Sequence, residues 1–352
     1  MTNTIKQRDR GIDVLKGIAV FTMIFSNVAG EVLVHPHPLF LRLIGSLAAP
    51  IFVGISGYLF FLSVSRERVW KKIGERLLVL LFVSSSIDVF LWRIYPFFTV
   101  DVIYIIAIST LVISLMHNAQ APTRLIIAFV IIGLTPFVQD YFVYNQSLAP
   151  NQFYKDGAFD FSEPIIFSSV IKRYFIDGWF PFFPWVGIGI LGTLIKEWRL
   201  PERNYRNNLL LIYLGIILIT IGIVLWKHEF KMEKRENYTE LFYPPTISYV
   251  LVYSGIVLLI ERIFSKERNI GKLFLPIEIL GKRTLLFYIL HFILISVLNI
   301  ISTNMNRKFN IDEYFLATSV VIFICFVVGF ILERFNEKLQ DLPSFVKTIL
   351  GG

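Results

Sequence analysis

Two of the five histidines in this chain, His35 and His37, stand two apart where an apolar run ends in Glu31, in the string Val34-His35-Pro36-His37-Pro38. Prolines on both sides of His37 stiffen the backbone and hold its imidazole in a defined place. A neutral imidazole near pH 7 is the usual general base, so this pair is a candidate for proton abstraction. Two other readings stand beside it: a polar turn whose histidines face water, and a His-x-His metal site, which lacks an obvious third ligand. The same run carries Met23 and Asn27 and starts with Arg10-Gly-Ile-Asp13-Val-Leu-Lys16-Gly17, where Asp13 and Lys16 share a helical face and can pair. Further on, Thr284, Tyr288 and His291 stack on one helical face and could line a polar channel; a single histidine there could equally serve an interhelical hydrogen bond. Asp88 and Asp101, with Arg93 between them, read more simply as a structural ion pair than as an acid–base couple.

The positions around these groups are unusual too. Asp177-Gly178-Trp179-Phe180-Pro181-Phe182-Phe183-Pro184-Trp185 combines belt aromatics with two prolines and a glycine. That predicts an irregular wall, tolerated at membrane depth only where it is buried or faces a wet cavity. Tyr243-Pro244-Pro245-Thr246 opens another apolar run on the same side, and the small residues Gly45, Ser46, Gly54, Ser56 and Gly57 permit close helix packing. Five basic residues, Arg66, Arg68, Lys71, Lys72 and Arg76, crowd one short segment. Topology alone accounts for them, and they would also attract an anionic cytosolic substrate such as a nucleotide phosphate. No P-loop, dinucleotide fingerprint, HExxH or GxSxG stands in a suitable context.

The elements that must position these residues are membrane helices. Only 17% of the 352 residues are charged while 55% are apolar, and the mean hydropathy is +0.65, which excludes an ordinary soluble enzyme. Cys325 is the single cysteine and lies in an apolar run, excluding disulfides and cysteine-rich metal sites. The spacing predicts an all-α polytopic protein with ten spans, near 12–34, 40–65, 73–92, 98–116, 125–143, 178–196, 207–226, 244–262, 275–298 and 313–333. With the N-terminus cytoplasmic, 20 basic residues fall inside and 10 outside, so both termini are expected in the cytoplasm and the net charge of +8 is anchoring rather than a nucleic-acid surface. A transmembrane domain covers 1–333 with an outer loop at 144–177, and 334–352 forms an amphipathic interfacial tail broken at Pro343.

Taken in order, these motifs resemble the heparan-α-glucosaminide N-acetyltransferase-like family of transmembrane acyltransferases, in its prokaryotic branch. The opening Arg10-x-x-Asp13-x-x-Lys16-Gly17 with Met23 and Asn27 is similar to that family's first helix, with lysine where arginine is usual. Phe180 to Gly192, Tyr243 to Thr246, and Gly281, Thr284, Leu285, Tyr288 and His291 resemble its later segments. The resemblance implies a ten-span core that takes an acetyl group from cytosolic acetyl-CoA and hands it to an amine or hydroxyl of a sugar-containing acceptor on the extracytoplasmic side. It further implies that a histidine beyond the first helix, His37 or else His35, is catalytic, as general base or as an acetyl-histidine nucleophile.

On that reading Lys16, Arg68, Lys71 or Lys72 would hold the CoA phosphates, and Asn27 or Tyr288 would donate to the developing oxyanion. The expected partners are acetyl-CoA, the sugar acceptor and membrane lipids, with no nucleic acid and no metal; the sequence is compatible with a homo-oligomer. Basic cytoplasmic loops without targeting motifs suit a prokaryotic inner membrane. The competing readings are a transporter or flippase for a glycolipid or small polar solute, using Asp88, Lys282, Arg283 and His291 as a pathway, and a non-catalytic scaffold or sensor.

Overall fold

A computed structural model describes residues 8–64, 69–144, 154–155, 158–159, 167–195, 205–229, 239–264, 271–335 and 341–351. Apart from a two-residue antiparallel pair, Tyr154–Lys155 with Ala158–Phe159, the regular structure is helical. The helices are α1 (Arg10–Val32), α2 (Leu39–Gly45), α3 (Ala48–Val64), α4 (Val69–Ile87), α5 (Val102–Leu115), α6 (Ala121–Tyr141) and α7 (Phe167–Lys172). After them come α8 (Phe182–Gly192), α9 (Tyr205–Glu229), α10 (Ile247–Phe264), α11 (Leu275–Lys282), α12 (Thr284–Asn304), α13 (Ile311–Arg334) and α14 (Ser344–Leu350).

Among the described residues, six helical stretches are long and apolar enough to cross a membrane: α1, Leu39–Ser63, α6, α10, α12 and α13. A seventh arises if Phe167–Asp177 and Phe182–Gly192, bent by 51°, count as one broken span, and two shorter apolar helices are Val102–Leu115 and Ile212–His228. Each predicted span contains helix, but several are interrupted. The segment 275–298, expected as one helix, breaks at Arg283, whose φ of −131° and ψ of 46° leave the helical region. A ten-span count therefore depends on treating broken and short helices as crossings. Most of the expected outer loop 144–177 lies outside the described residues; its end is α7 and a π turn, Arg173–Asp177.

Helix α1 is central because its small residues let other backbones touch it. A Cβ added at Gly281 would stand 1.6 Å from the Asp13 carbonyl oxygen, and one at Gly17 would stand 1.8 Å from that of Ile277, so α1 and α11 cross with no room for side chains. Ion pairs reinforce the crossing. Arg10 reaches Glu278 at 2.9 Å, and Asp13 holds Arg8 at 2.6 Å and Lys16 at 2.9 Å, the predicted pair among them. Lys282 and Arg283 extend this cluster to Glu333, and Arg283 also donates to the carbonyl oxygen of Leu350, docking the tail helix α14. Pro343 stands at the N-cap position of α14. Large apolar side chains such as Phe82, Phe137, Leu316 and Phe323 remain exposed, as they would towards lipid.

The predicted irregular wall is present. Residues 178–181 leave the helical path, and the backbone N–H groups of Trp179 and Phe180 donate to the carbonyls of Thr99 and Val100, so two non-helical segments satisfy one another. Trp185 is fully buried beside them, and its ring meets Phe180, Phe242 and Tyr249. The Tyr243-Pro244-Pro245 segment closes the same wall, where the Pro245 carbonyl accepts from Gln139 at 3.4 Å.

Candidate active site

A cavity of about 390 Å³ lies near the C-terminal end of α1. Its walls are Met23, Ser26, Asn27, Gly30 and Glu31 of α1, Gly45, Ala48, Ala49 and Phe52 of α2 and α3, and Trp92, Asp101 and Val102 around the start of α5. Trp179 and Phe180, the segment from Thr239 to Tyr243 without Leu241, and Tyr288, Phe292 and Ile295 of α12 complete it. The volume suits a small polar ligand or one end of a larger one.

Asn27 and Tyr288, singled out from the sequence, face this cavity together, and each is oriented by a buried partner. The Asn27 amide donates to Nε2 of His291 at 2.9 Å, and Nδ1 of His291 donates to the Phe287 carbonyl at 3.0 Å. Both nitrogens of the fully buried His291 are thus engaged, which fixes its tautomer and the rotation of the Asn27 amide. One N–H of Asn27 is used by His291; the amide has a second. Thr284 and His291 do not line the cavity, so the expected channel along α12 is reduced to Tyr288 at its wall.

Tyr288 has a single proton, and its hydroxyl directs that proton to Oδ2 of Asp101 at 3.0 Å. Asp101 also caps α5, accepting from the Ile103 and Tyr104 N–H groups and from Ser84 at 2.6 Å. These four donors satisfy the lone pairs of a buried carboxylate. Asp88 is held in turn by the Thr99 hydroxyl at 2.6 Å and the Tyr104 hydroxyl at 2.8 Å. Hydroxyl and backbone donors, rather than the ion pair expected from the sequence, account for the burial of both aspartates. A hydroxyl already donating to a carboxylate presents lone pairs to the cavity, which changes the part expected of Tyr288.

His37 is buried behind the cavity wall instead of on it. Its Nδ1 accepts from the Thr239 hydroxyl at 3.0 Å, Nε2 lies 3.4 Å from the Leu33 carbonyl, and His35 stacks on its ring at 4.0 Å. Thr239 does line the cavity, so His37 meets the interior through that hydroxyl. Burial, aided by the neighbouring His35, lowers His37 from 6.5 to about 4, so the ring is neutral across the physiological range. His35 is exposed at the turn after α1; desolvation and then Lys308 lower it as well.

The sequence passed over Glu240. Its carboxylate lines the cavity, accepts a hydrogen bond from the Ser26 hydroxyl and sits in the field of Arg42. Burial raises this carboxyl above the usual range, with Ser26 and Arg42 opposing. The only available signal was an acid in a polar string just before Tyr243-Pro244-Pro245. Glu31, Asp101 and Glu240 all face the cavity, and no lysine or arginine does among the described residues.

The basic residues expected to meet an anion are elsewhere. Lys16 is paired with Asp13, eleven residues before Asn27, which is about 16 Å along a helix. Lys71 is exposed in the first turn of α4, which also carries Lys72, and Arg68 lies outside the described residues. No three histidine, cysteine or acidic side chains gather as a metal site among the described residues.

Among curated proteins, none matches this chain. A family model described as "Heparan-alpha-glucosaminide N-acetyltransferase, catalytic" matches residues 8–223, a stretch that contains the α1 motif, His35 and His37, the Asp88 and Asp101 region and the Trp179 to Gly192 wall. Membership in that family implies a membrane acetyltransferase. A match over more than half the chain, on a bundle of apolar helices built around that motif, shows that the chain belongs to the heparan-α-glucosaminide N-acetyltransferase-like family.

Proposed function

We propose that this protein moves an acetyl group from cytosolic acetyl-CoA to the amine of a sugar-containing acceptor that enters from the extracytoplasmic side. The observation that carries the reading is the cavity at the end of α1. It joins an oriented amide (Asn27), a hydroxyl backed by a neutral imidazole (Thr239 and His37), and an acidic lining. Three carboxyl side chains in the lining, with no lysine or arginine there among the described residues, favour a cationic acceptor, so an amine fits better than a hydroxyl. The same lining repels phosphates. The CoA phosphates therefore belong at the opposite, basic end, near Lys16 and Lys71, with the thioester arm reaching up beside α1. Trp92, Trp179 and Phe292 supply aromatic faces for a sugar ring, and the Trp92 Nε1 donor has no acceptor among the described residues.

In the transfer, the acceptor nitrogen attacks the thioester carbonyl carbon, and the carbonyl oxygen becomes an oxyanion bound by the second N–H of Asn27. His37, acting through Thr239, takes a proton from the attacking nitrogen. The C–S bond breaks, and the departing CoA thiolate receives that proton. Tyr288, its own proton committed to Asp101, accepts from the acceptor and orients it. Both termini lie on the cytoplasmic side, following the distribution of basic residues.

The transporter reading needs Asp88, Lys282, Arg283 and His291 on one pathway. Instead, Lys282 pairs with Glu278 and Glu333, Arg283 binds the carbonyls of Leu332 and Leu350, and His291 holds Asn27. These groups are tied into separate helix contacts.

The test is calorimetric binding of acetyl-CoA to detergent-purified protein, with desacetyl CoA and the Arg68/Lys71/Lys72→Ala triple variant alongside. The expected result is a Kd on the order of micromolar that the triple variant weakens. Folded protein that binds no acetyl-CoA at roughly millimolar concentration would remove the donor and the proposal with it.

A further inference from the structure

An amine that enters such a cavity does so as an ammonium, and an ammonium has no lone pair with which to attack. Acetylation removes two protons from that nitrogen: one before attack and one as the amide forms. The second ends on the CoA thiolate; the first must leave the site. Thr239 and His37 form one proton-accepting unit, and the cavity holds a second acceptor on the adjoining residue.

Resting on the acetyl-transfer reading above, we infer that Glu240 is a catalytic residue that deprotonates the acceptor's ammonium, generating the free amine that attacks acetyl-CoA. The carboxylate lines the cavity next to Thr239, so both proton acceptors face the space that the acceptor nitrogen would enter. The Ser26 hydroxyl donates to Oε1 and anchors the carboxylate from α1, one residue before Asn27. Arg42 of α2 holds the segment in place by donating to the Thr239 carbonyl at 3.3 Å. The ionisable groups facing Glu240 are Arg42, Tyr243, Tyr249 of α10, and Glu31, Asp101 and Tyr288 across the cavity. Arg42 is the one cation in that set and opposes the burial that raises the carboxyl. The step balances: the ammonium N–H bond breaks, an O–H bond forms on Glu240, and that proton then leaves to water through the open side of the cavity.

The assignment separates Glu240 from Asp101, also acidic and at the cavity. Asp101 already accepts four hydrogen bonds that cap α5 and orient Tyr288, so it serves as a positioning residue.

The experiment compares wild type with Glu240→Gln, using labelled acetyl-CoA and two acceptors: an amino sugar, protonated near neutral pH, and an arylamine, already uncharged there. Wild type should acetylate both. Glu240→Gln should lose at least about 100-fold in kcat/KM on the amino sugar near neutral pH. It should recover as pH rises through that amine's own pKa, and its loss on the arylamine should be far smaller than its loss on the amino sugar. Equal impairment on both acceptors at every pH would make Glu240 structural and overturn the inference, as would an unimpaired variant. Glu240→Asp, which keeps the carboxylate, and a thermal unfolding curve for each variant exclude misfolding as the cause of a loss. Wild type that acetylates neither amine would instead refute the acetyl-transfer reading on which the inference rests.

Discussion

Replacing Asn27 by alanine tests the site most sharply, because one side chain does two separable things. Its amide gives one hydrogen to Nε2 of His291 at 2.9 Å and, in the proposed reaction, another to the oxyanion. Losing one oxyanion donor typically costs 10²–10³ in kcat, about 3–4 kcal/mol. Losing the donor to a fully buried imidazole leaves an unsatisfied acceptor, worth about 1–3 kcal/mol of stability. The catalytic loss should exceed the stability loss, and the two are measured apart. Single-turnover transfer from labelled acetyl-CoA reports the first, and denaturant unfolding in detergent reports the second. His291→Leu leaves the amide in place but releases its orientation, so it should lose less activity than Asn27→Ala. A folded Asn27→Ala protein with kcat within about threefold of wild type would refute the assignment of Asn27 as oxyanion donor.

Tyr288→Phe should reduce kcat less than tenfold, well short of the Asn27→Ala loss, because its only proton is committed to Asp101; a loss of about 100-fold or more would restore Tyr288 as an oxyanion donor. His37→Ala should lower turnover at least about 100-fold with the fold intact, and Thr239→Val should reproduce much of that loss, since the hydroxyl connects His37 to the cavity. His37 also imposes a pH signature on stability. Its pKa falls from 6.5 to about 4 on folding, so between those values the unfolded chain takes up a proton that the folded chain refuses. Stability should therefore fall as pH drops through that window, by up to about 3 kcal/mol, and His37→Gln should flatten the slope. At the α1–α11 crossing, Gly281→Ala places a methyl 1.6 Å from the Asp13 carbonyl oxygen and should destabilise by about 1–3 kcal/mol or more, read from the unfolding curve.

The sequence carried the helices because lipid demands long apolar runs, and it carried the unusual residues because polar groups and paired prolines at membrane depth need a reason. Asn27 and Tyr288, both named from the sequence, line the same cavity. Glu240 escaped notice because its partner, Ser26, is 214 residues away, and no local spacing encodes that contact. The break at Arg283 was equally hidden: its surroundings read as continuous helix, and its guanidinium is drawn to the carbonyls of Leu332 and Leu350, on a distant helix and on the tail. The aspartates read as ion-pair partners because Arg93 is near in sequence, whereas the hydroxyls of Ser84, Thr99, Tyr104 and Tyr288 come from three helices and a loop. The placement of His37 behind Thr239 also follows from tertiary contact alone.

The central claim is acetyl transfer across the bilayer, and proteoliposomes test it directly. Protein is reconstituted with acetyl-labelled acetyl-CoA on the face bearing the α1 N-terminus and an amino sugar on the other. The account predicts label on the sugar nitrogen, on the side opposite the donor, that disappears with His37→Ala. Folded, acetyl-CoA-binding protein that leaves the sugar unlabelled, or that carries unmodified sugar across, would contradict it.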